Sequence, residues 1–391
     1  MAAIGRAFGD LSKPVRKNLA NLTLAFLSVL GAARSGNGKI SLAALYRVLP
    51  TKGTARARKK RLYRFLENEH FDPRGVTGGL ARMAFGERGS GLWPIAFDQT
   101  KSGSAQALFA GVPFEGRTIP LSVYTFEYPW KDRFVSQNSL EESFLNDVEA
   151  ALPDGVRAVF IGDRGYARAA LLRLCSHMNR LFVIRGRGDV CVEHGKRRCK
   201  LKNLAPGIGS AVRYSNVRYQ SNQKVPLDVI AIRDPAFAAP WWLLVPAGTE
   251  DVLPTETVVA LYRERMQVEQ TFRDFKTHMG LRGLKLKVRI ADRTGRLLLG
   301  FLVAYCLALA VGTSRTANAA RRDLEIERKK PRHGTTRTLS ILFLAMLMLS
   351  HRRWRRKANL CLVALARNAG TSRSVMPRRP PDVSERLAKA A

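Results

Sequence analysis

"ALYRERMQVEQTFRDFK", residues 260–276, is the stretch on which the fold turns. Its spacing predicts a helix over roughly 254–278 with an uncommon line of charge. At about 100° per residue, Tyr262, Arg265, Glu269 and Lys276 fall within an arc of about 60°. Leu261, Val268, Phe272, Phe275 and Met279 cluster on the neighbouring arc. Glu264 and Asp274 are predicted to project to the far side, toward solvent. Glu269 thus stands at the border of the buried face, with Arg265 one turn before it and Arg273 one turn after. A solvated face laced with i,i+4 ion pairs is the plain reading, each pair contributing about 0.2–0.5 kcal/mol. The rest of the chain argues for more.

The 391 residues suit two or three domains and a large core. Lys and Arg number 66 against 31 acids, a formal charge of +35. Such a charge repels itself in isolation and calls for a polyanionic partner, nucleic acid first and an anionic membrane surface second. A small basic ribosomal-type protein fits poorly, because 46% of the chain is apolar. Five cysteines without framework spacing point to reduced thiols in a cytoplasmic protein. Cys191, His194 and Cys199 lie close together, but no second cysteine pair completes a zinc site. The apolar run "LLLGFLVAYCLALAVG" (297–312) falls short of the ~20 residues that span a bilayer and is predicted to be a core helix. No membrane partner is expected.

Residues 1–90 read as a helical domain. Ser41 is a predicted N-cap for "LAALYRVL", Pro50 stops it, and "ARARKKRLYRFLENEHF" restarts after "TKGT". Helix, short turn and basic helix outline a helix-turn-helix DNA reader, with Arg58, Lys59 and Arg61 as candidate contacts. A bundle with a solvated basic face fits the same pattern. From residue 91 to 186 the pattern changes to β-β-β-α-β-α-β, the order of a ribonuclease-H-like α/β domain. "AQALFAGVPFEGRTIPLSVYTF" (105–126) is a predicted hairpin, and Ser139 with Glu142 a predicted capping box. Residues 187–250 are Val-, Tyr- and Gly-rich and read as a β-rich insertion. Residues 251–313 return two closing helices. Residues 314–391 form a basic, helical C-terminal region with a Ser-, Arg- and Pro-rich tail.

Two apolar strands run into aspartates, "PIAFD" at Asp98 and "AVFIGD" at Asp163. Ligands of open α/β sheets bind at the carboxyl ends of strands. In this topology the two strands are neighbours, so the carboxylates repel unless a cation lies between them. A hard divalent ion, Mg²⁺ or Mn²⁺, answers that need. Glu269, on a helix along the sheet, would complete a two-metal site for in-line attack on a phosphodiester. Taken singly, each aspartate also suits a turn or a cap.

Asp98, Asp163 within "DRGY", and Tyr262-x2-Arg265-x3-Glu269-x6-Lys276 together resemble the DDE transposases of bacterial insertion sequences with the Y-R-E-K signature, the hairpin-forming insertion-sequence family four. "GRTIPL" (116–121) is similar to the same family's second-to-third strand region. The resemblance covers residues 92–312. It implies that Asp98, Asp163 and Glu269 are catalytic and hold two Mg²⁺ (or Mn²⁺) ions per site. It implies DNA nicking, a hairpin intermediate and strand transfer, with Tyr262, Arg265 and Lys276 gripping DNA. It implies a tryptophan that holds a flipped base: Trp242 matches the pattern better, and Trp241 stands beside it. Both being buried fits the sequence too. The partners implied are double-stranded DNA, as terminal inverted repeats and target, and a second copy of the chain. The place implied is the bacterial cytoplasm, at the nucleoid. Another ribonuclease-H-like nuclease, or a non-catalytic DNA-binding regulator, are the alternatives.

Overall fold

The structure is a computed structural model. It describes residues 2–32, 40–86, 91–102, 105–128, 136–220, 222–235, 237–279, 290–332 and 335–368. The tail beyond 368 lies outside the described residues.

Five helices come first: α1 (Ala2–Ala7), α2 (Lys13–Ala32), α3 (Leu42–Val48), α4 (Ala55–Leu66) and α5 (Thr77–Phe85). Ser41 and Thr54 cap α3 and α4 through their hydroxyls. The α/β part follows as β1 (Gly91–Ser102), β2 (Ala105–Phe114), β3 (Arg117–Phe126), α6 (Gln137–Ala150), β4 (Val156–Gly162), α7 (Ala169–His177) and β5 (Leu181–Arg185). Glu115 and Gly116 both adopt positive φ, the two-residue turn that matches the twist of a hairpin. The capping box of α6 is Ser136 with Ser139, three residues before the predicted one. The hydroxyl at 136 already accepts the Ser139 amide, so Ser139 and Glu142 fall inside the helix.

Six strands continue the sheet: β6 (Cys191–His194), β7 (Arg197–Lys200), β8 (Gly207–Ile208), β9 (Val212–Tyr219), β10 (Val225–Arg233) and β11 (Trp241–Pro246). The order is β3-β2-β1-β4-β5-β11-β10-β9-β6-β7, with β8 beside β10. β4 runs parallel to β1 and to β5, whereas β2, β3 and β11 pair antiparallel to their neighbours. β11 pairs with β5, so 187–250 extends the sheet instead of packing as a separate layer.

The chain closes with α8 (Thr255–Glu264), α9 (Met266–Arg273), α10 (Ala291–Gly312), α11 (Arg315–Leu324), α12 (Ile341–Ser350) and α13 (Arg352–Asn368). The predicted single helix over 254–278 is thus α8, α9 and a wide π-turn over Asp274–His278. Such turns let a helix change its face within one step. The upstream part buries Val258, Leu261 and Tyr262 against Val159, Ile161, Val183 and Trp241. Further on, Phe272 and Phe275 pack edge-on to Phe109. α10 is long and apolar enough to cross a membrane, yet its apolar stretch is wholly packed inside the fold. It lies along α2 and β3, and its end meets α12 so closely that a Cβ on Gly312 would stand 2.1 Å from the Ile341 carbonyl oxygen. Gly312→Ala is therefore expected to destabilise the fold by about 1–3 kcal/mol, because backbone must move. Urea denaturation reads this as a lower midpoint, and an unchanged midpoint contradicts the close approach.

Candidate active site

The parallel ladder of β1 and β4 runs from Gly91↔Val156 to Ala96↔Ile161. Two residues further along each chain stand Asp98 and Asp163, side by side at the end of the parallel pairing. β1 itself does not stop at Asp98; it continues to Ser102 on its antiparallel pairing with β2. Asp98 is opposite Phe109, the residue that packs on α9. Alternation along the strand therefore turns the Asp98 carboxylate to the face that α9 covers. Asp163 caps the tight turn Arg164–Tyr166, its Oδ1 accepting the Gly165 amide at 2.7 Å. The structural role of a turn cap and a place beside Asp98 coincide in one residue.

Burial and the neighbouring Asp163 charge raise the Asp98 carboxyl to about 6; the Gln99 amide and Arg265 pull the other way, and Glu269 adds to the rise. Arg265 is the group that answers this charge. Its guanidinium lies 3.5 Å from Asp98 Oδ2 and donates to Glu269 Oε1 at 2.6 Å. Its side chain is 8% exposed, while that of Glu269 is 48% exposed. A buried cation thus bridges a half-buried and a half-exposed carboxylate. Among the described residues, no group of three His, Cys, Asp or Glu side chains converges closely enough to hold a metal ion.

In donor chemistry the three acids suit a hard divalent ion. A second observation agrees. The Tyr166 hydroxyl is buried without a hydrogen-bond partner, and the charges of Asp98, Glu141 and Asp163 bear on it after burial itself. Three carboxylates thus bear on one buried hydroxyl that makes no hydrogen bond of its own. Glu141, on α6, was not singled out from the sequence. It is buried, takes Arg168 and Gln137 as partners, and its carboxyl is raised by burial. Its position inside a helix start hid it.

The other predicted residues are distributed unevenly. Tyr262 is 3% exposed and packs edge-on to Trp241, with the Arg265 guanidinium 5.8 Å from its ring. Burial raises its hydroxyl. Its ring is part of the core and is not presented to solvent. Lys276 sits in the π-turn, its Nζ 5.8 Å from the Phe272 ring. Trp241 is 3% exposed, between Tyr262 and Phe237. Trp242 points to the other face of β11 and lines an open cavity of about 620 Å³ with Arg164, Arg168, Arg185 and Arg187. Its Nε1 donates to the Leu204 carbonyl at 3.0 Å, and its ring is half-buried against the core while lining the cavity. Those four arginines are a further feature not singled out from the sequence. Lys59 and Arg61 are exposed on α4, and Arg58 is half-buried with an unpartnered Nε.

One expectation is overturned. Asp274 does not face solvent; it is 1% exposed and forms an ion pair with Arg117 of β3. Tyr305 of α10 lies 3.5 Å away. The π-turn rotates Asp274 under the sheet, where Arg117 neutralises it. Asp274 is thereby committed to holding α9 on the hairpin and lies apart from Asp98.

Residues 136–307 match the family model described as "Transposase DDE domain". The match spans less than half of the chain. It contains Asp163, Glu269 and the whole tyrosine-to-lysine stripe, and begins after Asp98. No curated protein matches the chain.

Proposed function

We propose that this chain, with its match to a transposase DDE domain as premise, is a DNA transposase that cuts and rejoins the ends of an insertion sequence. One observation carries the reading: Asp98 and Asp163 each follow by two residues the last pair of the parallel β1–β4 ladder, and one guanidinium lies between Asp98 and Glu269. The order β3-β2-β1-β4-β5, with β2 antiparallel, supports a ribonuclease-H-like arrangement for this part of the sheet. Asp98, Asp163 and Glu269 would hold a pair of Mg²⁺ or Mn²⁺ ions, and Arg265 would leave the gap between the acids as they load. Bound there, the ions supply activation of water or a 3′-hydroxyl for in-line attack on phosphorus and neutralise charge on the leaving oxygen. Freed from Glu269, Arg265 is one step from the phosphate that the acids face, and its planar fork suits that partner. Trp242 and the arginines of its cavity offer a stacking surface beside anion-binding groups, the combination that an extruded nucleotide needs. Tyr262 supports that wall from within the core, through Trp241. The basic helix α4, with Lys59 and Arg61, is the proposed reader of the element end. A dimer on two ends is the proposed working state.

The test is an assay with duplexes taken from the DNA that flanks the reading frame, any short inverted repeats there included, in Mg²⁺ or Mn²⁺. The expected products are a nick with a free 3′-hydroxyl, a hairpin end and joining to a second duplex. Nicking without joining would point to another ribonuclease-H-like nuclease. Binding without any cleavage in either ion would leave a DNA-binding regulator.

A further inference from the structure

We propose that the C-terminal arm, residues 325–332 and 335–340, together with α9 and the β2–β3 turn, forms a second groove that docks the phosphate backbone of duplex DNA away from the carboxylate site. The proposal deepens the transposase reading and rests on it for the nature of the polyanion. The groove encloses about 810 Å³ and is lined by Arg117, Arg273, Arg321, Arg328, Arg332 and Arg337, against a single acid, Glu115. Two of these arginines are neutralised, Arg117 by Asp274 and Arg321 by Glu325. The other four have no carboxylate partner among the described residues; Arg273 donates to the Gln270 amide oxygen and Arg328 to the Arg337 carbonyl. Arg332 and Arg337 are exposed.

The arm is built rather than loose. Glu325 is 2% exposed in its side chain and accepts from Arg321 at 2.7 Å and from the Thr338 and Leu339 amides at 2.6 Å. Burial opposes its charge, but the Leu339, Arg321 and Thr338 bonds outweigh this and hold its carboxyl below the ordinary range. Above this clamp the chain doubles back, the Arg328 backbone amide donating to the Thr336 carbonyl at 2.8 Å and the Arg332 backbone amide to that of Thr335 at 2.9 Å. Four guanidiniums without a carboxylate partner among the described residues thus line one open groove on a folded backbone, where they repel each other until a polyanion enters. A lone small anion would meet one or two of them. A duplex carries one charge per about 1.7 Å of its axis, which suits arginines drawn from both α9 and the arm. Gln270 of the groove is the neighbour of Glu269, so DNA seated here lies next to the helix that bears the proposed catalytic acid.

Binding to a short duplex of unrelated sequence, followed by fluorescence anisotropy in EDTA across a salt series, tests the groove. The variant R332A/R337A is compared with K329A/K330A, which removes equal charge from the same arm outside the lining. Both pairs are exposed, and thermal melting checks that both variants fold. The arginine pair is expected to make the slope of log affinity against log salt shallower by about 2, roughly 0.9 per lost phosphate contact, and to weaken binding about tenfold or more. The lysine pair is expected to give less than half of either effect. Equal effects of the two pairs mean bulk attraction and overturn the groove. An unchanged slope in R332A/R337A overturns it too, and is the result if an acidic protein segment is the true occupant. With no divalent ion or element end in the assay, failure of the catalytic reading leaves these outcomes unaffected.

Discussion

Asp98→Asn is expected to remove divalent-ion-dependent nicking by a factor of about 10³ or more, roughly 4 kcal/mol of barrier, while DNA binding stays within about twofold. The asymmetry follows from where Asp98 stands. Its carboxylate is 18% exposed and faces Arg265 and Asp163, not the basic surfaces that attract a duplex. The same variant carries a stability signature with a definite sign. Burial, with Asp163 next, raises the folded carboxyl from 3.8 to about 6. A raised acid contributes stability that is complete below its unfolded value and is lost as pH climbs through the folded value. Above about pH 6, the ionised Asp98 therefore costs the metal-free fold up to about 3 kcal/mol. Asparagine removes that cost. In EDTA, Asp98→Asn is expected to melt higher than the unaltered chain at pH 8 and to show no such gain at pH 4. Magnesium should narrow the difference at pH 8 by stabilising only the unaltered chain, and its affinity should fall as the pH drops through about 6, where it competes with the Asp98 proton. Normal nicking by the variant would end the catalytic assignment of Asp98. A lower melting point at pH 8 would show that the carboxylate is already well compensated by Arg265.

The sheet was legible where one short segment decides its own fate. "PIAFD" and "AVFIGD" are apolar runs too short for helices, and each meets a polar break, so their pairing as neighbouring parallel strands follows from the β-β-β-α-β order. The hairpin at Glu115-Gly116 was legible for the same reason, because turn chemistry is local. Helix existence around 254–278 was legible, but its continuity was not. The π-turn at Asp274 arises because Arg117 and Tyr305, contributed 157 and 31 residues away, draw the carboxylate inward. No helical wheel contains that information. Arg265 fails in the same way. On a wheel it shares an arc with Glu269 and Lys276, and the burial that couples it to Asp98 depends on how α9 lies across β1 and β2. Glu141 and the arginines around Trp242 were missed because each belongs to a different element. A cluster of that kind exists only once β5, β11 and the turn after β4 are assembled.

Arg265→Ala is expected to destabilise the metal-free fold at pH 8 by about 3 kcal/mol, and the added loss should disappear when a divalent ion is supplied. Removing one member of a buried ion pair costs about 3–5 kcal/mol, because the remaining charge is left without compensation. Here the remaining charge is chiefly Asp98; the Glu269 contact adds little, since that side chain is half-exposed and screened. Alanine also removes the buried and unpartnered Arg265 Nε, which offsets part of the cost and favours the lower end of that range. If the guanidinium stands in for a cation between the acids, the variant should gain more in melting temperature from Mg²⁺ or Mn²⁺ than the unaltered chain does. It should also bind the ion more tightly, because no arginine has to be displaced first. Arg265→Lys separates charge from shape: one ammonium can face one acid but cannot fork to both, so its metal-free stability should fall between the two. A variant that loses stability equally with and without the ion would make Arg265 a packing residue and nothing more. That result would also remove the reason to expect the guanidinium to move from carboxylate to phosphate during the reaction.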